Sequence, residues 1–321
     1  MSPGPAAVAH MEARARLAAA ASRAARSAWL RIDRSNLQPS WLGVLGSVLA
    51  AVSGAQLAAA GSTEPWLDAL LGDDENRAAS DRLDPAALAG IMGDGTPLAS
   101  MLQVPLWTAL RMVTRGAPVV QAMARGQLLL DLMVRTAVAD AGRAADLVGM
   151  AARPAVTSYI RVVEGGACSR CIILAGKEYG VSTGFLRHPR CHCGMEPVTR
   201  EHRPTAQDPR AVVAAMSDKE RQRTVGEAGA KAIDEGADLG LVVNARRGMA
   251  TATAFGRTLQ ATTEGTTSRG IAGKRAGNLQ KVRGQRYRVS RTPRLMPEEI
   301  FRIADDRAHA IRLLRQHAYI F

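Results

Sequence analysis

The chain has 321 residues, of which 47% are apolar and only 4% aromatic, so it can form a core but does not suit a large β-sandwich or barrel. Alanine, which favours helices, takes the place of the missing aromatic residues. The 42 basic and 29 acidic residues give a net charge of +13. That excess indicates a polyanionic partner such as nucleic acid, and the alternative is that arginine serves only solubility.

The first 34 residues are rich in Ala and Arg and predict a charged, partly frayed helix without the apolar stretch of a secretory signal. Residues 35–63 contain no charge. Within them, residues 41–60 are long enough for a membrane span. Their Ala, Gly and Ser content and the polar Gln56 instead favour a buried helix in a helical domain of residues 35–154, and we expect no membrane association.

The next stretch, residues 62–94, carries eight acidic and two basic side chains. Asp84 is expected to cap a helix that begins at Pro85. Apolar residues then recur at helical spacing over residues 98–152, divided by a Gly-Ala-Pro turn, and residues 121–152 give the strongest helix prediction, ended by Pro154. The following residues, 155–164, are β-branched and alternate, which predicts a strand.

The C-terminal half is predicted to be less regular. A polar linker and short helices occupy residues 199–245. Residues 246–294 contain twelve basic residues and one acidic residue, with many glycines and little periodicity, so residues 246–296 are predicted to form a basic, flexible segment. Residues 297–321 are predicted to form a C-terminal helix, because acidic residues follow Pro297 and basic residues come near the end.

All four cysteines lie within 26 residues, as the pairs Cys168-x-x-Cys171 and Cys191-x-Cys193. Two thiols three residues apart can share one tight turn, and two thiols separated by one residue point the same way in an extended segment. Two such pairs can converge on one tetrahedral metal ion, and sulfur and imidazole ligands favour Zn²⁺. A redox dithiol and structural disulfides are weaker alternatives.

The choice of ligands stays open at one position. Cys168, Cys171 and Cys191 are the first candidates, and either Cys193 or His188 is the fourth. A zinc ion with four thiolates keeps no open position, so the sequence predicts a structural zinc site. The expected fold is therefore mainly α: a helical N-terminal domain, a small zinc-clipped α+β domain over residues 155–198, and a basic, loop-rich C-terminal region ending in a helix.

The string from residue 167 to residue 198 resembles the signature of the MuF-like head-morphogenesis family, named after the F protein of phage Mu. That signature contains C-x-x-C, then L-x-G, then H-P-x-C-x-C. Residues 139–143, 184–191, 243–249 and 310–315 are also similar to versions in tailed phages of actinobacteria. One departure is His192, where many relatives have Asp or Arg; we expect this side chain to face away from its two cysteine neighbours.

The resemblance implies a minor capsid protein made beside the portal protein and present in the procapsid in few copies. It implies a role in head assembly or in DNA packaging and delivery, in a virion assembled in the host cytoplasm. The implied partners are the portal protein, the major capsid or scaffolding protein, and packaged double-stranded DNA. Some relatives are described as capsid maturation proteases, which is the alternative function.

A protease would need a nucleophile with an adjacent base. The sequence contains neither G-x-S-x-G nor H-E-x-x-H, and the cysteines are better explained as metal ligands. We therefore expect a structural protein rather than a hydrolase. A nuclease and a host transcription regulator are further alternatives, but a zinc ribbon would have two C-x-x-C pairs and the second pair here is C-x-C.

The basic segment is predicted to contact DNA through phosphates, which gives affinity without sequence specificity. Tyr287 and Phe255 are too few to form a stacking platform for single strands. The alternative is that the basic side chains pair with the acidic residues of 62–94, in the same chain or in a neighbouring copy. The candidate DNA contacts are Arg246, Arg247, Lys274, Arg275, Lys281, Arg283, Arg286 and Arg288.

Overall fold

A computed structural model describes residues 4–77, 81–164, 166–185, 187–189, 191, 193–254 and 257–321. The chain forms two compact units. The first consists of Met1–Ala167 with Ala175–Gln207, and the second of Cys168–Leu174 with Asp208–Phe321. Helices dominate and the sheets are small, as the sequence predicts. His192 and Phe255, which the sequence analysis singles out, lie outside the described residues.

The first unit is built around one long helix. Its helices are α1 (Pro5–Trp29), α2 (Leu37–Gly61), α3 (Thr63–Leu70), α4 (Asp73–Asn76), α5 (Leu98–Met101), α6 (Val104–Thr114) and α7 (Val119–Ala151). Helices α1, α2 and α6 all pack against α7. Leu106, Leu130 and Val134 are among the buried residues that these helices share, and their removal from water is the main source of stability here.

Two local predictions are confirmed in this unit. Helix α7 follows Pro118 directly and ends three residues before Pro154, as the helical spacing and the proline predict. The Asp84 carboxylate accepts a hydrogen bond from the Ala86 N–H at 2.9 Å and caps a 3₁₀ turn at Pro85–Leu88.

Helix α1 confirms that the first 34 residues are largely helical, but it is more regular than the partly frayed helix that the sequence predicts. It is a regular helix of 25 residues whose Ala21, Ala25 and Trp29 are buried in the core of the unit. The Trp29 indole N–H donates to the Met123 carbonyl at 3.1 Å. Small alanine side chains make the apolar face of α1 weak in sequence, yet they let the helix pack closely against its neighbours.

Helix α2 was predicted to be buried, and this holds for one of its faces. Trp41 and Val52 are fully buried, whereas Leu42 and Leu57 on the other side are 54% and 46% exposed. The stretch Leu37–Leu70, which includes α2, is long and apolar enough to cross a membrane, and it contains an 18-residue window with a mean hydropathy of 1.7.

The sheet of the first unit has three antiparallel strands, β1 (Ser158–Val162), β2 (Glu178–Gly180) and β3 (Gly194–Val198), with β1 in the middle. All five residues of β1 are buried, and the strand lies where the sequence predicts one.

Gly176, the glycine of the L-x-G motif, lies just before β2. Its N–H donates to the Arg161 carbonyl at 2.8 Å. Its φ is +69°, and a Cβ at this position would lie 2.4 Å from the Gln207 carbonyl oxygen. The left-handed backbone and the close approach therefore both require glycine here.

The second unit surrounds a smaller core that includes Val242, Leu295, Ile300, Leu314 and Tyr319. Its helices are α8 (Ser169–Ile172), α9 (Pro209–Ala214), α10 (Asp218–Val225), α11 (Glu227–Asp234), α12 (Leu239–Ala245), α13 (Ile271–Ala276), α14 (Pro297–Ile303) and α15 (Arg307–Gln316). Its strands are β4 (Met249–Ala254), β5 (Arg257–Thr262), β6 (Leu279–Gln280), β7 (Val289–Ser290) and β8 (Arg294–Leu295). They form the antiparallel sheets β4-β5-β8 and β6-β7.

The basic segment is more regular than the sequence predicts. Strands β4 and β5 pair over six residues each. Alternating, β-branched Thr251, Thr253 and Thr262 carry the strand signal that the glycines and arginines obscured. The prediction of a loop-rich segment without regular structure is therefore wrong for these strands and for α13.

The single C-terminal helix predicted within residues 297–321 is two helices, α14 and α15. The break between them is set by Asp306, whose carboxylate accepts a hydrogen bond from the His309 N–H at 2.6 Å and starts α15. An aspartate in this position competes with continuation of the preceding helix, because its side chain replaces the backbone acceptor.

The C-terminus of the second unit packs over β8. The Arg294 guanidinium donates to the His317 carbonyl at 2.9 Å and lies 4.2 Å from the centre of the Tyr319 ring. The buried His317 ring accepts a hydrogen bond from the Leu295 N–H at its Nδ1 atom, at 3.3 Å. Burial, and secondarily the Arg294 charge, lower the pKa of His317 to about 4.

Candidate metal centre

The first cysteine pair is positioned by its own backbone. The Cys168 carbonyl accepts hydrogen bonds from the N–H groups of Cys171 and Ile172, at 2.9 and 3.0 Å, at the start of α8. This tight turn places the two Sγ atoms 3.5 Å apart. The separation is well beyond the ~2.05 Å of a disulfide bond and suits two sulfurs that face one ion.

The second pair lies just before β3, and neither Cys191 nor Cys193 is part of a helix or strand. Cys191 and Cys193 are 4% and 2% exposed. The Arg143 Nη1 atom of α7 donates to the carbonyls of both cysteines, at 3.0 and 3.4 Å. The Arg161 Nη2 atom of β1 donates to Cys193 Sγ at 3.3 Å and lies 4.0 Å from Cys191 Sγ. Side chains from distant parts of the first unit therefore hold this pair.

All five predicted ligands are clustered in a way that can hold a metal ion. Their ligand atoms form two groups, Cys168 with Cys171 and His188, and Cys171 with Cys191 and Cys193, and within each group the atoms lie within 4.8 Å of one another. Cys171 belongs to both groups.

The His188 ring is oriented by a neighbouring carbonyl. Its Nδ1 atom lies 2.8 Å from the Pro189 oxygen, and because a carbonyl can only accept, Nδ1 carries the proton. Nε2 then keeps the lone pair that a metal requires. Four sulfurs and one imidazole exceed the four positions of a tetrahedral site, so the donor set fits Zn²⁺ with one candidate to spare.

The residues that sequence analysis missed are the charged supports of the second pair. Asp140 accepts from Arg143 Nη2 at 2.9 Å and lies 3.3 Å from Arg187 Nε. Burial lowers the pKa of Arg187, and the Asp140 charge opposes that effect. An arginine inside the apolar strand Tyr-Ile-Arg-Val-Val was a signal for such a role, since a buried guanidinium needs partners.

An aromatic cluster fixes the chain between β2 and His188. Tyr159 stacks on Tyr179 with ring centres 5.6 Å apart, and Phe185 lies against both rings. The Tyr159 hydroxyl donates to the Thr183 carbonyl at 2.5 Å, and burial raises the pKa of Tyr159 to about 12. The Arg161 guanidinium lies 4.2 Å from the centre of the Phe185 ring, so this cluster also supports the arginine that faces the sulfurs.

A cavity of about 340 Å³ lies beside the second cysteine pair in the first unit. Its wall includes Met11 and Arg14 from α1, Arg135 and Arg143 from α7, and both Cys191 and Cys193. The cavity is large enough to hold a small molecule beside these two cysteines.

The eight candidate DNA contacts all have exposed side chains. Four of them lie in the loop of residues 281–288 between β6 and β7, which contains no acidic residue. Lys281 Nζ donates to the carbonyls of Gln285 and Arg286, at 2.7 and 3.0 Å, which fixes the shape of the loop. Tyr287 lies against Arg286 and Arg269, whose guanidinium carbons are 5.5 and 5.1 Å from its ring centre.

The other four contacts differ in their surroundings. Arg246 pairs with Glu298 at 2.8 Å, and Arg275 donates to the Ile320 carbonyl at 3.0 Å. Arg247 and Lys274, like Arg283 and Arg288 of the loop, have no ion pair within 4.0 Å among the residues that the structure describes. In the acidic stretch, Glu64 pairs with Arg153 at 2.8 Å, inside the first unit.

No protein-family model, no curated protein and no solved structure matches the chain.

Proposed function

We propose that this chain is a structural minor capsid protein of the MuF-like type, a portal-associated component of a tailed phage head that acts in procapsid assembly or in DNA packaging and delivery. One observation carries the proposal: the side chains of the C-x-x-C and H-P-x-C-x-C motifs lie in two groups that share Cys171, and each group could hold a metal ion. This clustering is what the resemblance to the family signature leads us to expect of these residues.

We propose further that the cluster holds a structural Zn²⁺. Cys168, Cys171 and Cys191 would supply three ligands, and Cys193 or His188 the fourth. The chemistry that zinc supplies in such a site is folding energy, because one ion binds ligands that are about 20 residues apart in the sequence. A stable, inert clip of this kind suits a protein that is built into a particle.

The zinc proposal is tested by elemental analysis of protein purified without chelator. About one zinc ion per chain is expected, and removal by a strong chelator should lower the melting temperature. A metal-free protein whose four cysteines form two disulfides would contradict the proposal.

The head-protein proposal is tested separately, by mass spectrometry of procapsids and virions and by co-purification with the portal protein of the same phage. A few copies per head and direct binding to the portal are expected. Absence from both particles would overturn it. Specific cleavage of the major capsid precursor, lost on substitution of one Ser or Cys, would instead support the maturation protease.

We also propose that the loop of residues 281–288 binds the phosphates of double-stranded DNA. Its four basic side chains, together with Arg269, form a concentrated positive surface without a neighbouring acidic residue in the loop. Tyr287 is covered by two guanidinium groups, so the loop offers charge rather than a stacking surface.

The DNA test uses substitutions, because deletion of residues 246–294 would remove strands of the folded sheet. The double variant Arg283→Ala with Arg288→Ala should weaken binding to duplexes of any sequence. The slope of log affinity against log salt concentration should also become shallower, by the amount expected for the loss of about two phosphate contacts. Arg200→Ala, an exposed arginine of the first unit, is the control. Unchanged binding in the double variant would assign the loop to protein contacts.

A further inference from the structure

The arginines behind the second cysteine pair suggest a specific role in the proposed metal site. We infer that Arg161 and Arg143 form its outer shell: Arg161 offsets the negative charge of the sulfur ligands and keeps Cys193 among them, and Arg143 fixes the backbone that presents the pair. The inference rests on the proposed metal site and names residues that the sequence motif does not contain.

The argument for Arg161 starts from its burial. It is 2% exposed, lies in the middle of β1, and points its Nη2 atom at the sulfurs of Cys193 and Cys191. Zn²⁺ with four thiolates carries a net charge of −2, and with three thiolates and an imidazole it carries −1. A buried positive charge against two of the sulfurs stabilises the more negative set, so the geometry favours Cys193 over His188 as the fourth ligand.

The argument for Arg143 concerns position rather than charge. Its guanidinium spans two carbonyls of the C-x-C segment and the Asp140 carboxylate. Both Arg143 and Asp140 project from α7, the most extensively packed helix of the unit. Because neither Cys191 nor Cys193 lies in a helix or strand, these hydrogen bonds tie the backbone of the two cysteines to a rigid element.

The test measures zinc affinity of the full chain by competition with a chromophoric chelator, and records the sulfur-to-cobalt charge-transfer band after Co²⁺ replaces zinc. Arg161→Met and Arg143→Met should each weaken binding by ~10–100-fold. Arg161→Met should also reduce the charge-transfer band by roughly one of four sulfur ligands, which a purely structural role would not do.

Arg153→Met is the matched control. Arg153 is also 2% exposed and lies in the same unit, but its hydrogen bonds go to Asn76, Glu64 and Gly149. This variant should lose thermal stability and keep the zinc affinity of the native protein within ~2-fold.

Arg161→Lys provides a second test in case the Arg161→Met variant does not fold. It keeps the charge but loses the planar guanidinium, so an intermediate loss of affinity is expected. If the Lys variant, and a folded Met variant, bind zinc as tightly as Arg153→Met with an unchanged cobalt spectrum, the inference is wrong. Failure of the native protein to bind zinc would instead overturn the proposed metal site itself.

Discussion

The two cysteine pairs are held in different ways. The Cys168–Cys171 pair is set by hydrogen bonds within its own turn, whereas Cys191 and Cys193 are held by Arg143 from α7 and Arg161 from β1. The first arrangement is encoded in four consecutive residues. The second depends on residues up to 50 positions away. A short motif can therefore specify the ligands of a site while the structure that positions them is spread over the domain.

The largest expected effect comes from the residue that both groups share. Cys171→Ser should abolish zinc binding, because Cys171 lies in each of the two ligand groups, and the loss removes a binding free energy of about 10 kcal/mol. Zinc content and the melting temperature measure it. His188→Ala should retain one zinc ion per chain; if it loses the metal as Cys171→Ser does, His188 rather than Cys193 is the fourth ligand.

The next largest effect is steric, and it acts on Gly176, whose N–H donates to the carbonyl of Arg161. Gly176→Ala should destabilise the first unit by about 3 kcal/mol, because φ is +69° and the added Cβ meets the Gln207 carbonyl. Urea denaturation measures the change. Gly184→Ala has open space around the new Cβ and is the control. Equal stability of the two variants would show that the turn before β2 relaxes freely.

A smaller effect is expected from Asp140→Asn, which removes the charge that Arg143 and Arg187 share. The second pair should become looser and the first should not, so zinc affinity should fall by roughly 10-fold. The rate of zinc transfer to excess chelator reports the change. Asp73→Asn, on an exposed residue, should transfer zinc at the native rate.

The smallest effect is expected from Arg170→Ala, which tests whether the first cysteine pair needs side-chain support as the second pair does. Arg170 lies between the two cysteines of the first pair, yet it is exposed and the turn is held by backbone bonds. Arg170→Ala should therefore change zinc affinity by less than ~2-fold, far less than the substitution of Arg161. A loss as large as that of Arg161→Met would mean that the first pair also depends on side-chain supports.

The sequence allowed prediction wherever the signal was local. Helical spacing and Pro154 defined α7, β-branched alternation defined β1, and cysteine spacing identified the side chains that the structure clusters as candidate ligands. Helix α1 was underestimated because its buried face consists largely of alanine, which gives little contrast with its exposed face. Packing partners decide such a helix, and they are not visible in the helix's own sequence.

The roles of Arg143 and Arg161 beside the candidate metal site were likewise not visible in the local sequence. Residues 139–143 entered the sequence analysis only as a stretch similar to phage proteins, and Arg161 only as part of a predicted strand, because nothing near Arg143 or Arg161 in the sequence indicates a contact with the second cysteine pair. The contacts to residues 191 and 193 arise only when α7, β1 and β3 come together. In the basic segment a local signal was present but was overlooked. The glycines and charges suggested a flexible loop, although strands β4 and β5, which contain several threonines, pair as a hairpin.

The buried His317 ring makes the second unit sensitive to acid. Its folded-state pKa of about 4 lies below the ordinary 6.5, so the unfolded chain takes up a proton in a range where the folded unit does not. The contribution of the neutral ring to stability is complete above pH 6.5 and is lost as the pH falls toward 4, by about 3 kcal/mol at ~1.4 kcal/mol per pH unit. His317→Gln should flatten this part of the stability profile. Acidification should therefore loosen the C-terminal segment that packs over β8.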